Sequence, residues 1–572
     1  MASKIYDRPG SGFILSGGYL ALAGIGIWII TSMPESEIIR GLEKTVPWNL
    51  RINLFLLIAA LSICRHELLN FAKKFFNRRG VLLVSLCIAA FCVTAFTVPR
   101  THRIFYDEDI YANVGQNIAL AGQAGQCNYG TFEYGEYYPH WIAYNKQPSG
   151  WPFLISLVFQ MLGTSELYGF LLNNLIFSSA VLTVFLITWH LSETFFTSFM
   201  SALIFGLIPH NLTWHNTIAA EPSAALFAGL TVLALIIYSK TRLHRHFVVL
   251  ALLLPLACQM RPESILVAAW AVTALLWLVP ETFAERKSWI TGIPVLVFFM
   301  PHLIHLYIMR GMSWGADGDK ISLSFLVHNI STNGIYYFDN RFFPVIFMLS
   351  AIIGLFFVRP WLKEKLLVLL WFLIFWGIFL FFYAGSYTYG ADVRFALLSF
   401  MPLAVLAGLG CGYIRDRLVS SGFLEGEKGR ERLFSFLLAG IILASFLQFL
   451  PLVRRIGQEA WGARYDHQYA EEFSKKIPER SIVLTHNPGM FLLWNCNAIQ
   501  AYAGISNPEL IGQLMKKYRG HVYFHYNYWC NADSPPNRKL CRAIKEQYFL
   551  EEIACEREQN YEYVLYKMEM RK

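Results

Sequence analysis

The sequence predicts an all-α polytopic membrane domain of about thirteen transmembrane helices, followed by a soluble C-terminal α/β domain. Three observations predict it. The 572 residues are 55% hydrophobic and 16% aromatic but only 15% charged, whereas soluble domains carry roughly 25% charge. Long apolar runs recur from Gly12 to Leu452, as a helical membrane protein requires. Beyond Val453 the runs stop, and short strand-like and helix-like segments alternate.

Taken in order, Lys4 and Arg8 precede the first apolar segment, residues 13–31, and place the N-terminus in the cytoplasm. That segment lacks a small-residue cleavage site and reads as a retained span. A second span near 52–64 returns to a basic loop with Arg65, Lys73, Lys74, Arg78 and Arg79, an inside marker. The third, 81–96, exits to a long outer loop, 98–150. Residues 153–162 are apolar but too short to span, which suits an interfacial helix. Spans then alternate at 167–189, 199–208, from 221 to about 240, 248–258, 264–278 and 290–308. After a polar loop, four more follow: one ahead of Arg359, then 366–383, 395–413 and 434–452. The basic groups Lys240, Arg242 and Arg245, then Arg359, Lys363 and Lys365, then Arg415 to Arg432, mark the inner side.

Everything after Val453 is then outside. Strands are expected at 481–485, 498–502 and 522–526, helices at 488–494, 508–518 and 537–547, and a closing hairpin at 551–568, with a small parallel sheet. Cys127, Cys496, Cys530, Cys541 and Cys555 fall on the outer side, where disulfides form. The pairing cannot be read from sequence, and without CxxC spacing zinc is not indicated. The Asn-x-Ser/Thr sites at Asn211 and Asn329 fall outside too. The formal charge of +9 suits loops facing anionic lipid, and no nucleic-acid motif accompanies it.

This topology gathers Asp107, Glu108, Asp109, Lys146, Glu221, Arg261, Glu263, Asp392 and Arg394 on one face. Ionisable groups beside a bilayer mark function or pairing. Each has a structural alternative: Glu221 before Pro222 suits a helix start, Arg261 and Arg394 suit snorkelling or ion pairs, and Lys146 suits an interfacial anchor. Together they suit a reaction on a phosphate-bearing lipid, with cations holding phosphate and a carboxylate taking a proton from a hydroxyl. His486, Asn487 and Pro488 sit at a strand-to-helix turn, a place for a ligand or simply a helix cap.

Tyr106-Asp107-Glu108-Asp109-Ile-Tyr111 resembles the Asp-Glu-x-x-Tyr signature of the GT-C superfamily of membrane glycosyltransferases. Within it the chain looks most like the branch of protein O-mannosyltransferases and aminoarabinose lipid A transferases. Asn145-Lys146-Gln-Pro148 is similar to that branch's Lys-Pro-Pro motif, Ala220-Glu221-Pro222 to its second acidic position, and Val393-Arg394-Phe395 through Pro402 to its late-span entry. Asn145 stands where the aminoarabinose transferases have Glu, so the Glu-linked metal site of some relatives does not carry over. The first two spans are extra to the family.

The resemblance implies residues 1–80 as two added helices and a basic inner loop, 81–452 as the catalytic membrane domain, and 453–572 as an extracytoplasmic domain. It implies transfer of a sugar from a polyprenyl- or dolichyl-phosphate donor, with inversion, to a protein, lipid or glycan acceptor. Asp107 would be the base. Glu108 and Glu221 would orient hydroxyls, and Lys146, Arg394 and Arg261 would hold the donor phosphate. Asp109, Tyr111, Tyr387 and Tyr389 are further candidates. The resemblance names no definite cofactor, and a divalent metal stays open. The expected location is the bacterial inner membrane, with the endoplasmic reticulum as the alternative. A lipid-linked-glycan flippase is the competing reading; it predicts charges at the bilayer midplane and repeat symmetry. A silent scaffold for the tail is the third.

Overall fold

The computed structural model describes residues 11–312, 316, 318–340, 342–387, 392–421, 427–459, 461–532 and 534–571. The chain divides into two compact units. The first comprises residues 1–99, 173–216 and 220–456; the second comprises 100–172, 217–219 and 457–572.

The first unit is helical. Every segment expected to span is a helix. Among the described residues, seven helices are long and apolar enough to cross a membrane: Glu35–Ile63, Arg78–Thr97, Glu166–Ser192, Glu221–Thr241, Arg286–Met309, Asp392–Ser420 and Lys428–Phe449. Gly17–Trp28, Phe195–Leu207, His244–Cys258, Pro262–Leu278 and Val345–Phe357 are shorter. Leu362–Leu380 carries Lys363, Glu364 and Lys365 in its first turn. Leu20, Phe55, Phe96, Phe356 and Phe436 are exposed on these helices, which is tolerable only where lipid covers them. The chain is an integral membrane protein.

The helix Leu397–Ser420 is the buried axis of this unit, covered along the whole of its apolar length. Small residues let its neighbours approach. A Cβ at Gly410 would fall on the Ser350 carbonyl oxygen, one at Gly354 on that of Leu406, and one at Gly408 on Ser201 Oγ. Close backbone approach through small residues is how helices associate where apolar burial supplies little drive. The amides of Asn211 and Asn329 are buried and donate to the carbonyls of Phe205 and of Phe379, Leu380 and Phe382, so neither Asn-x-Ser/Thr site presents its side chain to an enzyme.

The second unit is built on one seven-stranded sheet, β1 (Gly125–Glu133), β2 (Glu136–Tyr144), β3 (Ile482–Thr485), β4 (Asn497–Gln500), β5 (Val522–Tyr526), β6 (Tyr548–Glu558) and β7 (Tyr561–Met570), in the order β2-β1-β4-β3-β5-β7-β6. The expected parallel core is there: β3 pairs in parallel with β4 and β5. The expected closing hairpin, β6–β7, borders it antiparallel. The sheet is larger than expected because the long loop contributes a second hairpin, β1–β2, joined antiparallel to β4. Its two-residue turn, Tyr134-Gly135, has φ of 54° and 82°, the geometry that matches strand twist. Pro139 lies in β2, an edge strand, where a missing N–H is harmless.

Side chains alternate between two covered faces. Ile482 and Leu484 pack with Ile511, Leu514 and Ile544, while Val483 packs with Phe473, Phe491 and Leu492. On the second face lies the helix Phe105–Leu120, which carries the acidic stretch. Asn113 Oδ1 accepts the Cys127 N–H at 2.8 Å, Asn117 donates to the Gly125 carbonyl at 2.6 Å, and Gln116 donates to that of Leu492 at 3.0 Å. The expected short helix is Gly150–Leu162. It packs where a Cβ on Gly115 would meet Ile155 at 2.8 Å.

Gly410→Ala should lower the unfolding midpoint of the detergent-solubilised protein by the equivalent of about 1–3 kcal/mol, the range for overpacking. Gly377→Ala, whose Cβ meets nothing within 4 Å, should leave the midpoint unchanged or slightly raised. Thermal unfolding followed by tryptophan fluorescence reads both.

Candidate functional site

Each unit carries a buried charge cluster. In the second unit, the helix Phe105–Leu120 places Asp107 and Glu108 in its first turn, where negative charge suits the helix dipole. Glu108 is fully buried. Its Oε1 accepts the N–H groups of Arg103 at 2.6 Å and Ile104 at 3.2 Å, and its Oε2 accepts that of Ile218 at 2.7 Å. Burial raises its pKa, against the pull of His102 and the three N–H groups. Asp109 is also buried; its Oδ2 accepts from Asn487 Nδ2 at 2.9 Å. Of the three consecutive carboxylates, Asp107 alone reaches solvent. Tyr111 is buried.

Three residues that sequence reasoning did not single out complete this cluster. His467, from the helix Trp461–Ser474, has Nε2 2.8 Å from Glu166 Oε2 and Nδ1 3.2 Å from Asp109 Oδ1. His102 lies 3.5 Å from both Glu108 Oε2 and Glu166 Oε2, and 3.8 Å from Asp109 Oδ1. The two imidazoles stack with centroids 3.9 Å apart. Burial works against charge on His467, yet Glu166 and Asp109 raise its pKa well above the ordinary value. Burial and His467 work against charge on His102, and Asp109, Glu166 and Glu108 still raise it. Next door, burial pushes the Asp466 carboxyl up to about 7, although the Tyr528 N–H favours its ionised form.

Asn487 makes no side-chain cap on the helix it precedes; its amide is what ties β3's turn to Asp109. Burial lowers His486 to about 4. Cys530 and Cys541 form a disulfide. Lys146 is exposed, and Asn145 Oδ1 accepts the Gln147 N–H.

In the first unit, Glu221 opens the helix Glu221–Thr241, with Pro222 in its first turn as expected of a helix start. Its buried Oε1 sits 2.6 Å from Arg261 Nη1 and 2.7 Å from Arg394 Nε. Arg261 Nε reaches Glu263 at 2.5 Å, and Arg394 Nη1 reaches Asp392 at 3.2 Å. Both guanidiniums lie over the Phe395 ring, at 5.6 and 4.5 Å. The structure thus brings together five of the residues expected on one face: Glu221, Arg261, Glu263, Asp392 and Arg394. Glu221 Oε2 is buried with no hydrogen-bond partner among the described residues. Tyr387 is buried against Tyr336 and Tyr337, and its N–H donates to Asn333. Tyr389 lies outside the described residues.

No protein-family model matches the chain, and no curated protein matches it by sequence. Among solved structures it is similar to ArnT from Cupriavidus metallidurans in the apo state, 11% identical over 85% of this chain and 97% of that one, with a TM-score of 0.52. It also aligns with the apo oligosaccharyltransferase of Archaeoglobus fulgidus, 12% identical over 83% of this chain and 73% of that one, with a TM-score of 0.49. The arabinofuranosyltransferase AftD from Mycobacteria aligns at 14% identity over 86% of this chain and 42% of that one, with a TM-score of 0.45. At such identity the likeness to ArnT is one of fold alone.

Glu108→Gln should destabilise the protein by about 1–3 kcal/mol, because one end of the amide must present N–H to a backbone N–H. Glu479→Gln, at an exposed position, should stay within about 0.5 kcal/mol. Unfolding midpoints in detergent, with limited proteolysis after Arg103 as a local readout, check the pair.

Proposed function

We propose that the chain is a GT-C glycosyltransferase that moves a sugar from a polyprenyl- or dolichyl-phosphate donor to an acceptor hydroxyl on the extracytoplasmic face. Fold alone does not carry an activity. What carries this reading is the difference in burial along the acidic stretch: Glu108 and Asp109 are buried, while Asp107 is half-buried. A base must reach the proton it removes, which favours Asp107 over its two buried neighbours.

In this mechanism Asp107 accepts the acceptor's hydroxyl proton as the oxygen attacks the anomeric carbon. The bond from that carbon to the phosphate oxygen breaks, with inversion, and the lipid phosphate leaves with the bonding pair. Lys146, Arg394 and Arg261 offset its growing charge. Glu221 holds the two arginines through one oxygen, and its other oxygen, unmatched among the described residues, would accept a hydroxyl. Glu108 acts by fixing the first turn of the helix that bears Asp107.

Two further observations support the compartment. Nucleotide sugars belong to the cytoplasm, and no glycine-rich phosphate loop is present in the sequence. The Cys530–Cys541 disulfide suits an oxidising compartment. The bacterial inner membrane, or the endoplasmic reticulum, meets both conditions.

The test is sugar transfer from radiolabelled polyprenyl-phosphate sugars in membranes carrying wild type or Asp107→Asn. Transfer by wild type, reduced by roughly 100-fold or more in the variant, is the expected result, with Arg394→Ala also impaired. Undiminished transfer by Asp107→Asn would move the base elsewhere. No transfer with any donor, alongside glycolipid translocation in liposomes, would make the chain a flippase.

A further inference from the structure

The cluster beneath the acidic helix has a composition that hydrogen bonding alone does not explain. His102 is 3% exposed, and neither of its ring nitrogens has a hydrogen-bond partner among the described residues. Glu166 Oε1 is likewise buried without a hydrogen-bond partner there, and Asp109 Oδ1 and His467 Nδ1 face only each other, at 3.2 Å. A buried polar group left unmatched costs about 1–3 kcal/mol, and here several such atoms converge.

Charge adds to the difficulty. Glu108, Asp109 and Glu166 face two imidazoles in a space that water scarcely enters. With neutral imidazoles the carboxylates repel one another. With both protonated, two cationic rings stack at 3.9 Å. A dication among them removes both problems, because it takes lone pairs from neutral imidazoles and neutralises carboxylates at once.

We propose that His102, Asp109, Glu166 and His467 form a binding site for one divalent transition-metal ion, with Zn²⁺ the best match to the donor set. One donor atom from each residue lies within 4.8 Å of the others. A tetrahedral zinc with bonds of about 2.0–2.1 Å sets its ligands about 3.3 Å apart, so modest side-chain rotation closes the shell. Two imidazoles with two carboxylates suit Zn²⁺ better than Mg²⁺ or Ca²⁺, which prefer all-oxygen shells. Asn487, donating to Asp109 Oδ2, leaves Oδ1 turned toward the imidazoles, the outer-layer support that orients metal ligands. The second grouping of this kind, His486 with Cys530 and Cys541, is excluded because its two sulfurs form the disulfide.

The ion joins four places in the second unit: the segment before the acidic helix, the helix itself, the start of Glu166–Ser192, and the helix Trp461–Ser474. Its role is to hold the tail to the helix that bears Asp107. This assignment stands whether or not the chain transfers sugars.

The experiment is metal analysis of the full-length protein purified in detergent, stripped with dipicolinate and reloaded with ZnCl₂. Wild type should hold about one zinc per chain, and its unfolding midpoint should fall on stripping and recover on reloading. His102→Ala and His467→Ala should bind zinc at least about 100-fold more weakly, beyond the effect of losing an outer partner such as Asn487. His328→Ala, at an exposed position, should retain it. Should the alanine variants misfold, zinc-edge X-ray absorption on wild type decides: an all-nitrogen-and-oxygen shell with two imidazoles supports the site, and a sulfur-containing shell overturns it. A wild type that takes up no zinc, manganese, iron or cobalt, with a midpoint insensitive to dipicolinate, overturns it in favour of an imidazolium–carboxylate network alone.

Discussion

The second unit depends on one buried carboxylate. Glu108 reaches back over the start of its own helix to the N–H groups of Arg103 and Ile104, and across to that of Ile218. Trp151 Nε1 holds the carbonyl of the same Ile218 at 2.8 Å. Three backbone donors from two distant stretches would otherwise be buried unmatched, at about 1–3 kcal/mol each. No neutral side chain of that length supplies two acceptor oxygens. Glu108 therefore fixes the helix's first turn, and with it the directions of its neighbours. Asp107 is half-buried, while Asp109 turns inward to Asn487 and the imidazoles. The same backbone turn thus leaves one carboxylate partly accessible and sequesters two.

The fold was legible where apolar pattern decides it. The span segments are recognisable by length and hydropathy, and the tail strands by alternation with their helices, because those periods are set by burial. The hairpin β1–β2 was hidden by Gly125, Gly130, Gly135 and Pro139, which read as loop. Tyr134-Gly135 between two aromatic-rich runs was the signal for a tight turn, and an edge position explains the proline. The charge cluster of the first unit was partly legible. Its arginines and Glu221 stand at span ends, where a cation or carboxylate needs a reason. Their mutual pairing was one of the alternatives open, and the structure realises it.

His102, Glu166 and His467 were not legible, and the reason is geometric. His467 sits in an amphipathic helix rich in Tyr and Glu, where a histidine carries no periodic signal. His102 and Glu166 flank elements already explained by other means. Only the sheet, which draws residues 125–144 and the tail into one layer, sets these three side chains around Asp109. A search for metal motifs looks for close spacing along the chain, and this set has none. Cysteine spacing spoke against zinc, but carboxylates and imidazoles gathered from remote segments make an equally suitable shell.

The two clusters differ in kind. Arg261 and Arg394 offer only N–H donors and carry no lone pair. Guanidinium stays charged throughout the physiological range, so their pairing with Glu221, Glu263 and Asp392 makes a fixed frame of two cations and three carboxylates. The carboxylates that now hold the guanidiniums also orient them. His102, Asp109, Glu166 and His467 present the opposite chemistry. With neutral imidazoles every one of them is a lone-pair donor, in a largely buried space. Such a set cannot attract a phosphate, and its natural ligand is a cation. One polypeptide thus carries a set of paired guanidiniums in its helical unit and a set of lone-pair donors in its mixed unit, and within the mixed unit the second set ties the tail to the helix of Asp107.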